Sequence, residues 1–362
     1  MGGWDGLPGR TYAEADEGWS EMTAERELIA GIRARTPRFG GGVRLGIGDD
    51  CAVLRPSSGH ELVVTTDMLL EGRHFRREWH SPESVGHRCL ARGLSDIAAM
   101  GARPMAAFLS VATPGELAGN GQAGWVERFL DGLLALAAEH KVTLAGGDTA
   151  ESQGGVLADI VMMGEVPAGK ALLRSGARAG DEIYVTGALG GAAAELARLE
   201  RSARWKAETQ KLARAEGEAH PHFFPQARIA AGQVLRRRGL ATAMIDVSDG
   251  LSTDLDHLCE ESKLGAEVDA AAVPVHALAV EAERRGWTDS GLGLALDGGE
   301  DYELLFTTRP GARVPKMIGG VAVRAIGRML PANARKPRMV LRQVDGRLEP
   351  LKARGWEHFR RG

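Results

Sequence analysis

Cysteine is scarce: Cys51, Cys89 and Cys259 are the only three in 362 residues, far apart and never in a Cys-x-x-Cys pair. Neither a disulfide framework nor a thiolate zinc site is supported, and a reducing cytoplasm is the expected compartment. No apolar run approaches the roughly 18 residues that a membrane-crossing helix needs. An excess of one charge is equally missing, since 45 Lys plus Arg against 48 Asp plus Glu leave a net charge of −3. That balance excludes nucleic-acid or membrane binding through bulk charge, so any charge-based function is local. Residues 1–20 lack the basic start and apolar stretch of a secretory leader, and Gly6 stands where a myristoylation signal needs Ser or Thr. Polar and glycine-rich, residues 1–22 read as a disordered extension, or as sequence preceding a true start at Met22.

What is present is an ordinary globular balance, 44% hydrophobic and 26% charged. The length is about 2.4 times the roughly 150 residues of an average domain, which predicts two domains. Strand-like and helix-like segments alternate, the pattern of an α/β (α+β) protein. Leu62 to Thr66 reads as a strand, and Ser81-Pro82-Glu83 opens a helix that runs to Met100 and stops at Gly101. Strands follow at Phe108–Val111, Val142–Leu144 and Leu157–Met163, with a helix over Gly124–His140 between the first two. The polar stretch Pro167–Gly180 reads as a link. The second half restarts with the strand Glu182–Thr186, a glycine turn and a helix from Ala192. It continues with a helix near Ala227–Arg237, the strand Ala243–Val247, a helix over Leu251–Ser262 and the strand Tyr302–Thr307. Mixed charges from Arg198 to His220 read as a solvated helix face. The expected domains are therefore 23–166 and 177–345, with a tail over 346–362.

Several motifs fail. Gly164 to Ala171 nearly spells a P-loop, but Ala171 replaces the Ser or Thr that would hold magnesium. Gly46-Ile47-Gly48 lacks the third glycine of a dinucleotide fingerprint, and His220 and His222 read as loop residues, not ligands. What remains is glycine, 49 residues or about 14% against a typical 7%, placed beside acids. The pairs are Gly48-Asp49-Asp50, Thr65-Thr66-Asp67, Ser95-Asp96, Gly147-Asp148, Asp246-Val247-Ser248-Asp249 and Gly299-Glu300-Asp301. Any one of them is explained as a turn or a cap. Asp96 sits in the last turns of its helix, either paired with Arg92 one turn back or close to a cation. Like charges about 4 Å apart cost from roughly 1 to 4 kcal/mol per pair, a cost that a divalent ion removes. A set of carboxylates and hydroxyls without thiolate or imidazole selects a hard ion such as Mg²⁺, completed by water and phosphate oxygens.

Seven segments in register resemble the thiamine-monophosphate kinase family: Gly46–Val53, Thr65–Asp67, Leu94–Gly101, Gly146–Thr149, Arg174–Ala177, Ile245–Gly250 and Gly298–Leu304. The resemblance implies the two-domain fold of aminoimidazole ribonucleotide synthetase, with the N-terminal domain forming a homodimer interface. It implies transfer of a phosphoryl group from ATP to thiamine phosphate with several Mg²⁺ ions, and neither nucleic acid nor membrane as partner. Carried over by motif, Asp50, Thr65, Thr66, Asp67, Asp96, Asp148, Asp246 and Asp249 would hold the ions. Gly147, Asp148, Arg174 and Ser248 would contact ATP. His74, Glu300 and Trp356, the last in the tail, would contact thiamine phosphate, with Glu300 and Trp356 favouring its cationic thiazolium through charge and cation–π contact. Asp67, Asp148, Arg174 and Asp249 would carry the catalysis. His74 is equally a surface histidine, Asp49 points away if Asp50 coordinates, and Asp301 reads as a strand-end residue. Two departures stand out: His222-Phe223-Phe224-Pro225 replaces a more basic stretch, and Trp356 replaces a common Tyr. Other readings are a superfamily member with a different substrate, and a magnesium–nucleotide binder without turnover.

Overall fold

A computed structural model of the chain describes residues 24–37, 39, 42–117, 124–214, 219–333 and 337–356. The extension read over 1–22 and the end of the tail beyond Trp356 lie outside the described residues. The first half runs α1 (Ala24–Arg35), β1 (Val43–Leu45), β2 (Val53–Leu54), β3 (His60–Leu70), α2 (Pro82–Ala99), β4 (Arg103–Thr113), α3 (Trp125–Glu139), β5 (Thr143–Glu151) and β6 (Leu157–Pro167). The second runs β7 (Glu182–Thr186), α4 (Gly191–Arg201), α5 (Ala203–Thr209), α6 (Ile229–Arg237), β8 (Ala241–Val247), α7 (Leu251–Ser262) and β9 (Leu264–Asp269). It ends with α8 (Ala277–Arg284), α9 (Gly291–Asp297), β10 (Glu303–Thr308), β11 (Met317–Ile318), β12 (Val321–Pro331), β13 (Met339–Arg342) and β14 (Leu348–Pro350).

Two mixed sheets result. The first has the order β3-β6-β4-β5, and the second β14-β13-β9-β12-β7-β10-β8 with β11 on β12. Alternation sets the faces of β3: Thr65, Asp67 and Leu69 turn toward α2, whereas Leu62, Val64, Thr66 and Met68 turn to an open face. α2 begins as its sequence dictates, with Ser81 Oγ accepting the Ser84 amide, Pro82 in the first turn and Glu83 at the positive end of the dipole. It ends where Gly101 turns at a φ of 64°. α2 and α3 cross without a side chain between them, since a Cβ on Gly86 would meet Phe129 O at 1.8 Å and one on Gly132 would meet Glu83 O at 1.8 Å.

α2 is buried almost throughout, packed on β3, β6 and α3 on one side and on α6, β8 and β10 on the other. One apolar cluster accordingly joins both sheets, with Leu94 and Ile97 of α2 in the same core as Leu235, Leu304 and Phe306. A helix wrapped in this way has no solvated face. The segment Arg198–His220 departs from a single solvated helix: it breaks at Ser202 between α4 and α5, and Leu199 and Thr209 are buried within it.

Candidate active site

α2 carries a polar stripe at one-turn spacing, Arg88, Arg92, Ser95 and Asp96, that faces neighbouring strands instead of water. Thr65 Oγ1 donates to Asp96 Oδ2 at 2.5 Å, and Ser95 Oγ donates to Asp246 Oδ2 at 2.7 Å. Arg92 donates from Nε at 2.8 Å and Nη2 at 2.5 Å to Asp67 Oδ1. The helix thus gathers β3 of the first sheet and β8 of the second around Thr65, Asp67, Asp96 and Asp246. The pairing of Asp96 with Arg92 considered from the sequence does not form. Arg92 turns instead to Asp67 on β3, and Asp96 takes the Thr65 hydroxyl of the same strand.

Burial, and then the charge of Asp96, push Asp246 up to about 7. Asp96 is raised as well, by burial against the Thr65 hydroxyl bond and with the charge of Asp67 adding to the rise. Arg174 is exposed on the segment after β6, yet it lies near enough to draw both carboxyls back down. These are crowded oxygen donors short of positive charge, and carboxylates with hydroxyls suit a hard divalent cation. Among the described residues no three His, Cys, Asp or Glu side chains form a ready-made cage. A cation there would draw its remaining ligands from water or phosphate.

Asp50, Gly147 and Asp148 lie elsewhere, on the wall of a cavity of about 970 Å³ that Phe108 and Ser110 also line. Asp49 Oδ1 accepts the Asp50 amide at 2.9 Å and so closes its own turn. Asp148 Oδ1 accepts the Thr149 amide at 2.9 Å. Asp67 on β3 and Asp148 on β5 occupy opposite edge strands, three strand spacings or about 14 Å apart. Thr66 points to the open face, away from Thr65 and Asp67. One chain therefore does not bring the whole expected ion-binding set together.

The third group sits on the second domain. Asp254 Oδ2 accepts the amides of Ser248, Asp249 and Gly250 at 3.0, 3.0 and 3.1 Å, which fixes the turn after β8. The Asp249 carbonyl then accepts the Trp356 amide at 2.9 Å, and Ser248 O accepts the Glu300 amide at 2.7 Å. Trp356 is half exposed, with the Arg73 guanidinium 5.9 Å from its ring. His74 Nδ1 accepts the Leu70 amide at 2.9 Å. Asp301 accepts the Gly190 amide at 2.8 Å at the start of α4, the structural role read for it.

Sequence reasoning missed the partners of Glu300. Arg88 Nη2 donates to Glu300 Oε1 at 2.7 Å, His222 Nδ1 lies 3.4 Å from Oε2, and Arg92 Nη1 lies 3.7 Å from Oε1. Burial disfavours the charged form, but Arg88, then His222 and Arg92, hold Glu300 well below the usual carboxylate range. Much of the charge expected to attract a thiazolium is thus already matched. His222 lies in a turn, the loop residue expected, but it is buried as a member of this network. The available signal was Arg88, Arg92 and Asp96 at four-residue spacing in a helix too apolar elsewhere to have a wet side.

The family model described as AIR synthase related protein, N-terminal domain, matches residues 48–166, and its C-terminal-domain counterpart matches 178–312. A thiamine-monophosphate kinase of Salmonella typhimurium is 40% identical over 298 residues, which cover 82% of this chain and 84% of that protein. The chain belongs to the thiamine-monophosphate kinase family. The thiamine-monophosphate kinase structure from Stenotrophomonas maltophilia K279a matches with a TM-score of 0.71 and 33% identity, over 90% of this chain and 97% of that one. The structure of AaThiL complexed with AMPPCP and TMP, 27% identical, matches with a TM-score of 0.69 over 94% of this chain and 100% of that one. The two-domain fold expected from the sequence is therefore the fold of this kinase family, and the enzyme class follows with it.

Proposed function

We propose that the protein transfers the γ-phosphoryl group of ATP to thiamine phosphate by direct in-line displacement, giving thiamine diphosphate and ADP. The observation that carries this reading is the cluster of Thr65, Asp67, Asp96 and Asp246, in which Arg92 pairs with Asp67 while Asp96 and Asp246 crowd each other next to Arg174. A family member solved with AMPPCP and TMP supports the choice of substrates. The acceptor is a phosphate oxygen already ionised at neutral pH, so no general base is required and positioning with charge neutralisation suffices. It forms a bond to the γ-phosphorus as the bond to the ADP oxygen breaks. Several Mg²⁺ ions, when bound, supply that neutralisation. Asp67, Asp96 and Asp246 would hold ions at the junction of the sheets, and Asp50 and Asp148 at the large cavity. Asp249 would contribute from the turn after β8 and Thr66 from the open face of β3. Arg174 would steady the transferring group, and Gly147 and Ser248 would let the nucleotide approach the backbone closely. His74, Glu300 and Trp356 would receive thiamine phosphate.

The separation of Asp67 from Asp148 is reconciled by a second copy. Leu62, Val64 and Met68 are 41%, 54% and 47% exposed on the open face of the first sheet, an apolar surface of the kind that pairs in homodimers. The domains would then divide the labour, the first, 23–166, pairing and binding nucleotide, the second, 177–345, presenting the acceptor with the tail. The test is ADP release and thiamine diphosphate formation from ATP and Mg²⁺, with and without thiamine phosphate. Product is expected only with thiamine phosphate, and Asp67→Asn should lower kcat at least a hundredfold. Tight ATP binding without product would sink the proposal.

A further inference from the structure

Glu300 is held by a chain of hydrogen bonds reaching back through three buried side chains. Arg88, 1% exposed, donates from Nη2 to Glu300 Oε1 at 2.7 Å and to the His74 carbonyl at 3.0 Å, and from Nη1 to the His222 carbonyl. One guanidinium thereby ties together the segment after β3, the segment before α6 and the loop before β10. Its Nε has no hydrogen-bond partner among the described residues, so the group is kept by its contacts on one side alone. Behind it, His222 Nε2 lies 3.0 Å from His80 Nε2, and the Arg76 amide donates to His80 Nδ1 at 3.3 Å.

The hydrogens on these rings can be placed in two ways. With Nδ1 accepting from the Arg76 amide, His80 donates from Nε2 to His222 Nε2, and the Nδ1 hydrogen of His222 faces Glu300 Oε2. With Nδ1 donating to the Arg76 carbonyl at 3.1 Å, His80 Nε2 accepts from His222 Nε2, and His222 Nδ1 accepts from Arg88 Nη1 at 3.3 Å. In both, His222 braces the Arg88–Glu300 pair and His80 braces His222. Burial and the proximity of His222 and Arg88 keep the His80 ring neutral. The loop itself is strained, because Glu300 and Tyr302 are non-glycine residues at φ of 59° and 51°. Such a backbone persists only where its surroundings over-determine it. Glu300 and His222 both reach a small cavity that His74, Trp79 and His80 also line.

We infer that Arg88, His222 and His80 are positioning residues for the acceptor substrate: they fix the carboxylate of Glu300 and cancel its charge, so that Glu300 meets the substrate as an aimed hydrogen-bond acceptor and not as a counter-ion. This inference rests on thiamine phosphate being the acceptor. The test is steady-state kinetics of the full chain with each substrate varied, and thermal melting as the control for folding. His222→Leu removes the polar contact that Nδ1 makes with Glu300 and Arg88, while His222→Asn restores one, since the Asn amide, which both donates and accepts, stands where Nδ1 stood. His80→Leu and His80→Gln repeat the comparison one bond further back, the Gln amide standing where Nε2 stood. The expected result is that both Leu variants raise KM for thiamine phosphate about tenfold, with KM for ATP within about twofold. The Asn and Gln variants should return to within about threefold of the parent. Leu variants equal to the parent, Leu and amide variants equally impaired, or both KM values rising together would overturn the inference and leave the function standing. A parent enzyme that makes no thiamine diphosphate would sink the function and this inference with it.

Discussion

Gly147 adopts a φ of 150°, and a Cβ there would stand 1.8 Å from the Leu109 carbonyl oxygen. Because that oxygen belongs to the neighbouring strand, Gly147→Ala is expected to cost about 2 kcal/mol or more in urea denaturation and to weaken ATP binding. His87 offers a test by pH. Burial lowers its value from 6.5 to about 4, while Nε2 donates to the Pro225 carbonyl at 2.9 Å. The folded chain thus refuses a proton that the unfolded chain takes up below pH 6.5. The stability that depends on this is full above that value and is lost as pH falls toward 4, by up to about 3 kcal/mol. Urea midpoints at pH 7 and pH 5 should differ less in His87→Gln than in the parent. At this scale the acids were legible in the sequence because each stands within two residues of a Gly, Ser or Thr. Their counter-charges were not, because Arg92 meets Asp67 from 25 residues away and Arg88 meets Glu300 from 212.

The ends of α2 were legible for the same reason, since Ser81, Pro82, Glu83 and Gly101 act within one turn of where they stand. Its surroundings were not. Periodicity assigns a helix one apolar and one wet face, and the polar stripe of α2 faces strands of both sheets instead. The strands β9 and β12–β14 escaped notice because charged residues such as Glu267, Arg328 and Arg342 interrupt them, and these pair with one another across the strands. The crossing of α2 and α3 gives a sharp prediction, since it has no room for a methyl group at Gly86 or Gly132. Gly132→Ala should lower stability by about 2 to 3 kcal/mol, despite alanine's better helix propensity, as a shift in thermal or urea midpoint.

At the scale of the molecule, the restart at Glu182 made two domains visible in the sequence. The junction between them was invisible, because one helix serves both cores. The open face of the first sheet makes the assembly testable. Val64→Asp should shift sedimentation equilibrium from dimer to monomer while leaving the far-ultraviolet spectrum unchanged, and should lower turnover if the two acidic groups act together only across copies. No helix among the described residues is long and apolar enough to cross a membrane.

The Trp356 amide and the Gly355 backbone rest on a turn made a hundred residues earlier, with Gly355 N donating to Thr253 Oγ1 at 3.0 Å. Two backbone amides thus close a loop of about a hundred residues onto the turn after β8, and a substitution of the Trp356 side chain leaves both bonds intact.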